Sequence, residues 1–299
     1  MTPFLLLRKW LDPRLAPGAQ QWLKAAAAEL ADGAPSARFC ALFALASRQA
    51  RRVPLALAPA DVEAAGRSVQ GWNPERWSVL ESVRVALVLA QHDLAGDDGA
   101  LALSEAFRYA DEGELCALLR ALALVPGPER FAWRAGEGCR SNMRSMFEAA
   151  ALDTPFPVEH FDELAWNQCV IKCLFVGAPL WRLWGLDTRL SPELARMALD
   201  LADERRSAGR PVPHELWLCL GRYGAARGLA ALERELEPSN TNTAGRCAAV
   251  LAFARAGDTG RLARLDADER DPAVRAALAR AQAGESGSAS FRQLETVPA

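Results

Sequence analysis

The sequence is poor in the residues that most often carry chemistry. Its histidines are His92, His160 and His214 and its lysines are Lys9, Lys24 and Lys172, every other base being arginine. With so few histidines scattered along the chain, spacing alone supports no nucleophile–histidine–acid triad. No stretch approaches the roughly 20 apolar residues of a membrane span. The first apolar run, residues 4–7, precedes Arg8 and Lys9, whereas a signal peptide places its basic residues first. A formal net charge of -2 leaves no general basic field to attract nucleic acid. The expectation is a cytoplasmic protein with no nucleic-acid partner.

Several site motifs are missing as well. There is no Gly-rich phosphate loop with its lysine, no GxGxxG after a strand, no HExxH and no CxxC. The seven cysteines, Cys40, Cys116, Cys139, Cys169, Cys173, Cys219 and Cys247, lie mostly within apolar helical sequence. Cys169 and Cys173 share a helix face at i, i+4, but no second Cys/His pair lies near them in sequence, so packing is favoured over metal binding. Reduced thiols, no metal and no cofactor are expected. His92 falls at the end of a helix and His214 at the start of one, both structural positions.

What is abundant is helix-forming sequence: alanine, leucine and arginine, with few β-branched residues. A helix is read over 18–31, with Trp22, Ala26 and Leu30 on one face. Ser36 is read as the cap of the next, which carries Phe39, Leu42, Phe43 and Ala46. Asn73-Pro74-Glu75 signals another start, and further helices are expected over 100–109, after Asp111, over 129–152 and after Ser191 as far as Gly209. Beyond Pro213 the helices become short and closely spaced, beginning with HELWLCLGRYG. Asp271-Pro272-Ala273-Val274-Arg275 resembles the second helix of a HEAT-type repeat. Residues 284–299 are rich in Ser and Gly, with no evident face to bury, and are expected to form a mobile tail.

No strand alternation is evident. The expected fold is all-α, with antiparallel helix pairs in a curved, solenoid-like (HEAT/armadillo-like) array. One helical domain over 1–283 is expected, divisible into 1–126, 127–212 and 213–283.

The most informative stretch is HFDELAWNQCVIKCLFVGAPLW, residues 160–181. At about 100° per residue, counting from Phe161, one stripe holds Leu164, Ala165, Gln168, Ile171, Lys172 and Phe175. Gln168 and Lys172 are then one turn apart on an apolar face, with His160, Glu163 and Asn167 beside them. A lysine there must snorkel to water or find a carboxylate, because an unpaired buried charge is costly. In a chain that otherwise uses arginine, its compact ammonium points to a narrow site. The preceding helix offers a ridge of Arg140, Arg144 and Glu148 behind an apolar stripe of Met143, Met146, Phe147 and Ala150. A Glu148–Lys172 ion pair is the structural expectation, with Asn142, Asn167 and Gln168 adding hydrogen bonds. This set is either a buried polar network that fixes helix register or a pocket for a polar head group. In the second case Trp166, Phe175, Trp181 and Trp184 form its apolar wall.

RSNMRSMFEAAAL, PFPVEHFDELAWNQCVIKCLFVGAPLWRLWGLD and SPELARMALDLADERRSAGRPV together resemble the EboA family of metabolite-traffic proteins. The likeness covers roughly residues 131–212. It centres on Asn142-Met143, Phe147-Glu148-Ala149 and Ala165-Trp166-Asn167-Gln168 through Lys172. This chain departs from the family pattern at Cys169, where methionine is usual, and in Asp153-Thr154-Pro155-Phe156-Pro157, where an NPYP-like sequence is usual.

The resemblance implies a bacterial cytoplasmic protein of secondary-metabolite traffic. It would be encoded with partners that include a membrane prenyltransferase-like protein, and it brings no catalytic residues with it. The leading expectation is a non-catalytic protein that binds a small-molecule precursor or a pathway partner through Asn142, Glu148, Trp166, Asn167, Gln168, Lys172 and Trp181, with Arg140, Arg144 and His160 as further candidates. The alternatives are an enzyme using Lys172 as base or Schiff-base amine with Glu148 as proton partner, and a pure protein–protein scaffold.

Overall fold

The computed structural model describes residues 1–237 and 239–297, without the side chains of Thr259 and residues 266–268. Among the described residues the chain is all-helical; the only extended pairing is an isolated bridge between Pro54 and Ser78. It forms two compact units, Met1–Asp162 and Glu163–Ala299.

The first unit is built around one helix that is apolar on nearly every side. It opens with α1 (Pro3–Leu11), α2 (Pro17–Ala31), α3 (Ser36–Gln49) and α4 (Pro59–Ser68), followed by the central helix α5 (Val79–Leu89). Every α5 residue from Val79 to Val88 except Glu81 is buried, as its sequence VLESVRVALVL requires. Then come α6 (Asp97–Tyr109), α7 (Glu112–Ala121), α8 (Ala132–Arg140), α9 (Arg144–Ala151) and α10 (Phe156–His160). α5 packs on α1, α2, α3 and α7, while α7 packs on α9 and α9 on α8.

Two of the expected helix starts are displaced. Asn73 caps only the 3₁₀ turn Pro74–Arg76, and α5 begins instead behind Ser78, whose side chain accepts from the Glu81 N–H. Ser36 is the first residue of α3 and not its cap; Pro35 precedes it in extended conformation. The cap at Asp111 is observed, with Glu114 closing a reciprocal box.

α5 and α7 run antiparallel and are cross-linked by two charge pairs of opposite polarity. Glu81 of α5 accepts from Arg120 of α7 at 3.1 Å, and Arg84 of α5 donates to Glu114 of α7 at 3.1 Å. Each glutamate also caps its own helix. Glu81 Oε2 accepts from Ser78 N–H at 2.8 Å, and Glu114 Oε2 accepts from Asp111 N–H at 3.1 Å. Arg84, with only 4% of its side chain exposed, also donates to the Phe43 carbonyl at 3.4 Å and so reaches α3. Burial pushes the Glu81 carboxyl up, but the Arg120 charge and the Ser78 hydrogen bonds outweigh it, and its pKa lies below the ordinary value.

The second unit repeats the plan with different parts. It contains α11 (Glu163–Val176), α12 (Pro192–Ser207), α13 (Ala225–Glu235), α14 (Thr243–Ala256), α15 (Thr259–Asp268) and α16 (Pro272–Gln282). α14 is its buried centre, packed on α13, α15, α16 and the 3₁₀ segment His214–Cys219. HELWLCLGRYG, expected as an α-helix, forms two 3₁₀ stretches, His214–Cys219 and Gly221–Tyr223. Gly221 has φ 44°, which interrupts regular helix at that point. The C-terminal segment does have a face to bury: Phe291 and Leu294, three residues apart in a 3₁₀ stretch, are 0% and 3% exposed. The last two residues of the expected tail, 298 and 299, lie outside the described residues.

Three outcomes follow from the first unit. Glu114→Ala leaves Arg84 buried without its carboxylate and is expected to cost about 3 kcal/mol in denaturant unfolding. Because the Glu81 pKa is lowered on folding, its contribution is full above the unfolded value of about 4.3 and is lost as pH falls through the folded value. Thermal melts between pH 7 and pH 3 should therefore show an acid-dependent loss that is smaller in Glu81→Gln. At Gly138, a Cβ would meet the Ala150 Cβ at 2.7 Å and Leu119 at 3.0 Å. Gly138→Val should accordingly destabilise by roughly 1–3 kcal/mol through overpacking between α8, α9 and α7.

Candidate functional site

The Arg140–Arg144–Glu148 ridge expected on one helix is divided between two. α8 stops at Arg140, residues 141–143 are non-helical, and α9 starts at Arg144. The Ser141 hydroxyl accepts from the Met143 N–H at 3.0 Å, which holds the break. Arg140 consequently pairs with Glu137 on its own helix, while Arg144 donates to Glu148 at 2.7 Å. Glu148 keeps 18% of its side chain exposed, against 56% for Arg144, so it is the buried end of that pair. Phe147, Ala149, Ala150 and Ala151 form the buried side of α9, whereas Asn142 and Met143 are exposed and Met146 is half-buried.

The long helix expected from Phe161 is also divided. Phe156–His160 forms one short turn of helix, Phe161 is extended, and α11 starts at Glu163. Phe156 packs against His160 at 4.8 Å and edge-on to Phe161 at 6.1 Å, which keeps both phenylalanines buried in the first unit. The half-buried His160 lies 3.7 Å from Glu159.

On α11 the buried face is not the one the periodicity selected. Trp166, Asn167, Cys169, Val170, Cys173 and Leu174 are buried. Leu164 and Phe175 are 66% and 57% exposed, Gln168 is exposed, and Ile171 and Lys172 are half-buried. The helix is apolar almost all round, so hydrophobic spacing could not decide which side faces inward.

The tryptophans are committed to packing and not to an open wall. Trp166, 1% exposed, donates its indole N–H to the Arg189 carbonyl at 3.1 Å and lies 5.1 Å beneath the Arg189 guanidinium. Trp181 donates to Glu295 at 2.8 Å, and the Arg292 guanidinium sits 5.4 Å from its ring. Trp184 is half-buried.

Asn167 stands out on α11. It is 2% exposed, and its Oδ1 has no hydrogen-bond donor among the described residues. A buried acceptor left in this way costs on the order of 1–3 kcal/mol. Of the expected site, Asn142 and Glu148 belong to the first unit. Asn167, Gln168 and Lys172 share α11 in the second, with Gln168 and Lys172 one turn apart.

Three of the thiols are held against ionisation by burial. Burial raises Cys116 and Cys247 to about 11 and Cys219 to about 12, so these cysteines stay neutral and unreactive near pH 7. Among the described residues no group of three or more His, Cys, Asp or Glu could hold a metal ion. His214 is half-buried, and burial pushes its pKa down.

Sequence reading passed over two adjoining clefts in the second unit, which meet at Gly221 and Arg222. Their one legible signal was the glycine spacing in LGRYGAARG, whose first half falls in the expected helix HELWLCLGRYG.

Among the described residues no helix is long and apolar enough to cross a membrane. No curated protein and no solved structure matches the chain. A family described as metabolite traffic protein EboA matches residues 4–221, which is well over half of the chain and includes α9 and α11. The match is wider than the likeness visible in residues 131–212, and it extends back through the α5–α7 pair. The chain belongs to the EboA family of metabolite traffic proteins.

Proposed function

We propose that this protein serves bacterial secondary-metabolite traffic in the cytoplasm without catalysing a reaction, by binding a small-molecule precursor or a pathway partner through polar groups that include Asn167, Gln168 and Lys172 of α11. The single observation that carries this reading is the unpartnered acceptor of buried Asn167, beside Gln168 and the half-buried Lys172 on one helix. A ligand donor that reached Asn167 would recover the cost of leaving it unsatisfied. Asn142 and Glu148, in the first unit, are candidates for polar contacts of their own. The arginine partner already held by Glu148 speaks against its service as a proton partner in nucleophilic chemistry. The partners would include proteins encoded alongside it, a membrane prenyltransferase-like protein among them.

A second reading, a protein–protein scaffold of curved, stacked helix pairs, is favoured by one observation. Leu164 and Phe175, large and exposed, stand at the two ends of α11 with exposed Gln168 between them.

Both readings are separated by one series of variants expressed in a producing cell. Glu148→Gln and Lys172→Met are expected to cut metabolite output by about tenfold or more, the scale of one lost charge-assisted hydrogen bond. Circular dichroism should meanwhile show an intact fold. Unchanged output with a folded protein would refute the binding reading. Output lost in Leu164→Glu but kept in Lys172→Met would favour the scaffold.

A further inference from the structure

Residues 220–232 and 255–258, with 187–190 and 286–287, leave two clefts side by side in the second unit. One, of about 330 Å³, is lined by Leu220, Ala225, Gly228, Leu229, Leu232 and Ala256 among others. The other, of about 490 Å³, is polar and is lined by Thr188, Arg222, Tyr223, Arg255 and Ser286 together with Asp187. Gly221 and Arg222 line both. A side chain at Gly221 would strike Leu190 at 2.7 Å, and its φ of 44° disfavours one in any case, so glycine lets the backbone pass closely between the two spaces.

The charges of the polar cleft do not cancel. Asp187 is fully engaged: one oxygen pairs with Arg255 at 2.7 Å, and the other accepts from the Ser288 N–H at 2.9 Å and from its hydroxyl at 3.1 Å. That leaves Arg222 as surplus positive charge. It donates to the Tyr223 hydroxyl at 2.9 Å and stacks on that ring at 5.0 Å, and among the described residues no carboxylate lies within ion-pair distance of it. Arg255 adds a second unspent donor. Only 7% of its side chain is exposed, it holds the Leu218 and Ser286 carbonyls, and its Nε–H has no acceptor among the described residues. Asp258, in the wall of the apolar cleft, has one oxygen occupied by the Arg261 N–H at the start of α15. An anionic group is therefore drawn to the Arg222 side and away from Asp258.

A cleft with an alkyl wall at Leu220, Leu229 and Leu232, sharing Gly221 and Arg222 with a small basic site, has the form of a receptor for one amphipathic anion. We propose that the second unit binds a small molecule with an alkyl-like chain and a terminal phosphate or carboxylate. The chain would lie along Leu220, Leu229 and Leu232, and the head group would meet Arg222 beside Arg255. None of these residues belongs to the α9 and α11 set. Nearly all lie beyond residue 221, where the family match ends. The site thus stands or falls separately from the function proposed above.

Isothermal titration of the full chain with monomeric octyl phosphate tests the proposal, with octanol and inorganic phosphate as partial ligands. Saturable binding of one octyl phosphate is expected, at least tenfold tighter than either partial ligand. Arg222→Met and Leu229→Glu alter exposed or half-exposed side chains and should leave the fold intact, and each should weaken binding about tenfold. The proposal is overturned by absence of saturable binding, by equal affinity for octanol, or by affinity unchanged in both variants. Attachment only to vesicles of anionic phospholipid, with no uptake of the monomer, would overturn it as well, because it would place the charge at a membrane surface and leave the cleft empty.

Discussion

Arrangement of the first unit depends on the reciprocal exchange of charge between α5 and α7. Two glutamates, each the third residue of its helix, use one oxygen to cap their own helix and the other to hold an arginine on the neighbouring helix. The two pairs have opposite polarity, so sliding one helix along the other by a turn would separate both and strand the charges in an apolar core. Apolar packing alone would tolerate such a slip more readily, because Val, Leu and Ala at neighbouring positions of α5 and α7 differ little in shape. Once α7 is in register, α9 is placed against it, and with α9 the half-buried Glu148. Position of a candidate binding residue is thus traceable to charges some way from it in the chain.

Among the described residues, the second unit shows no equivalent lock at its centre. α14 is buried through small and apolar residues, and the ionic contacts lie around its margin, at Arg206–Glu235, Arg246–Glu269 and Arg255–Asp187. Each of these arginines holds a carboxylate from a different part of the chain, so they join short helices that have little intrinsic stability of their own. Such a body can leave clefts between its elements without losing its core.

How much of this was legible in the sequence depended on whether a local rule or a long-range partner decided the matter. The all-helical class followed from composition, and the caps at Asp111 and Ser191 followed from residue order alone. The break at 141–143 did not, because Ser, Asn and Met are tolerated within helices and only the Ser141 turn shows that the chain leaves the helix there. The inward side of α11 was unreadable for another reason. Every side of that helix carries apolar residues, and the neighbours that bury Trp166 and Cys173 lie elsewhere in the chain. Lys172 and Glu148 were singled out correctly as partly buried charges. That Trp166 is buried beneath an arginine was not legible, because a large aromatic in sequence looks the same whether it lines a cavity or is stacked in this way. The charged latch between α5 and α7 passed unnoticed, since an arginine within VRVALVL gives no local sign of the carboxylate it meets 30 residues later.

The end of the family match at residue 221 falls inside the second unit, directly after the segment Leu216–Cys219, which is wholly buried. That segment packs on α12 and Leu180–Arg182, which lie within the match, and on α14, which comes later in the chain than anything the match includes. Residues up to 221 thus leave apolar surface at Leu216–Cys219 that a later helix helps to cover. In this chain the segment that helps to finish that core also lines the paired clefts around Arg222, so one stretch of sequence has to satisfy a buried side and an open one at once.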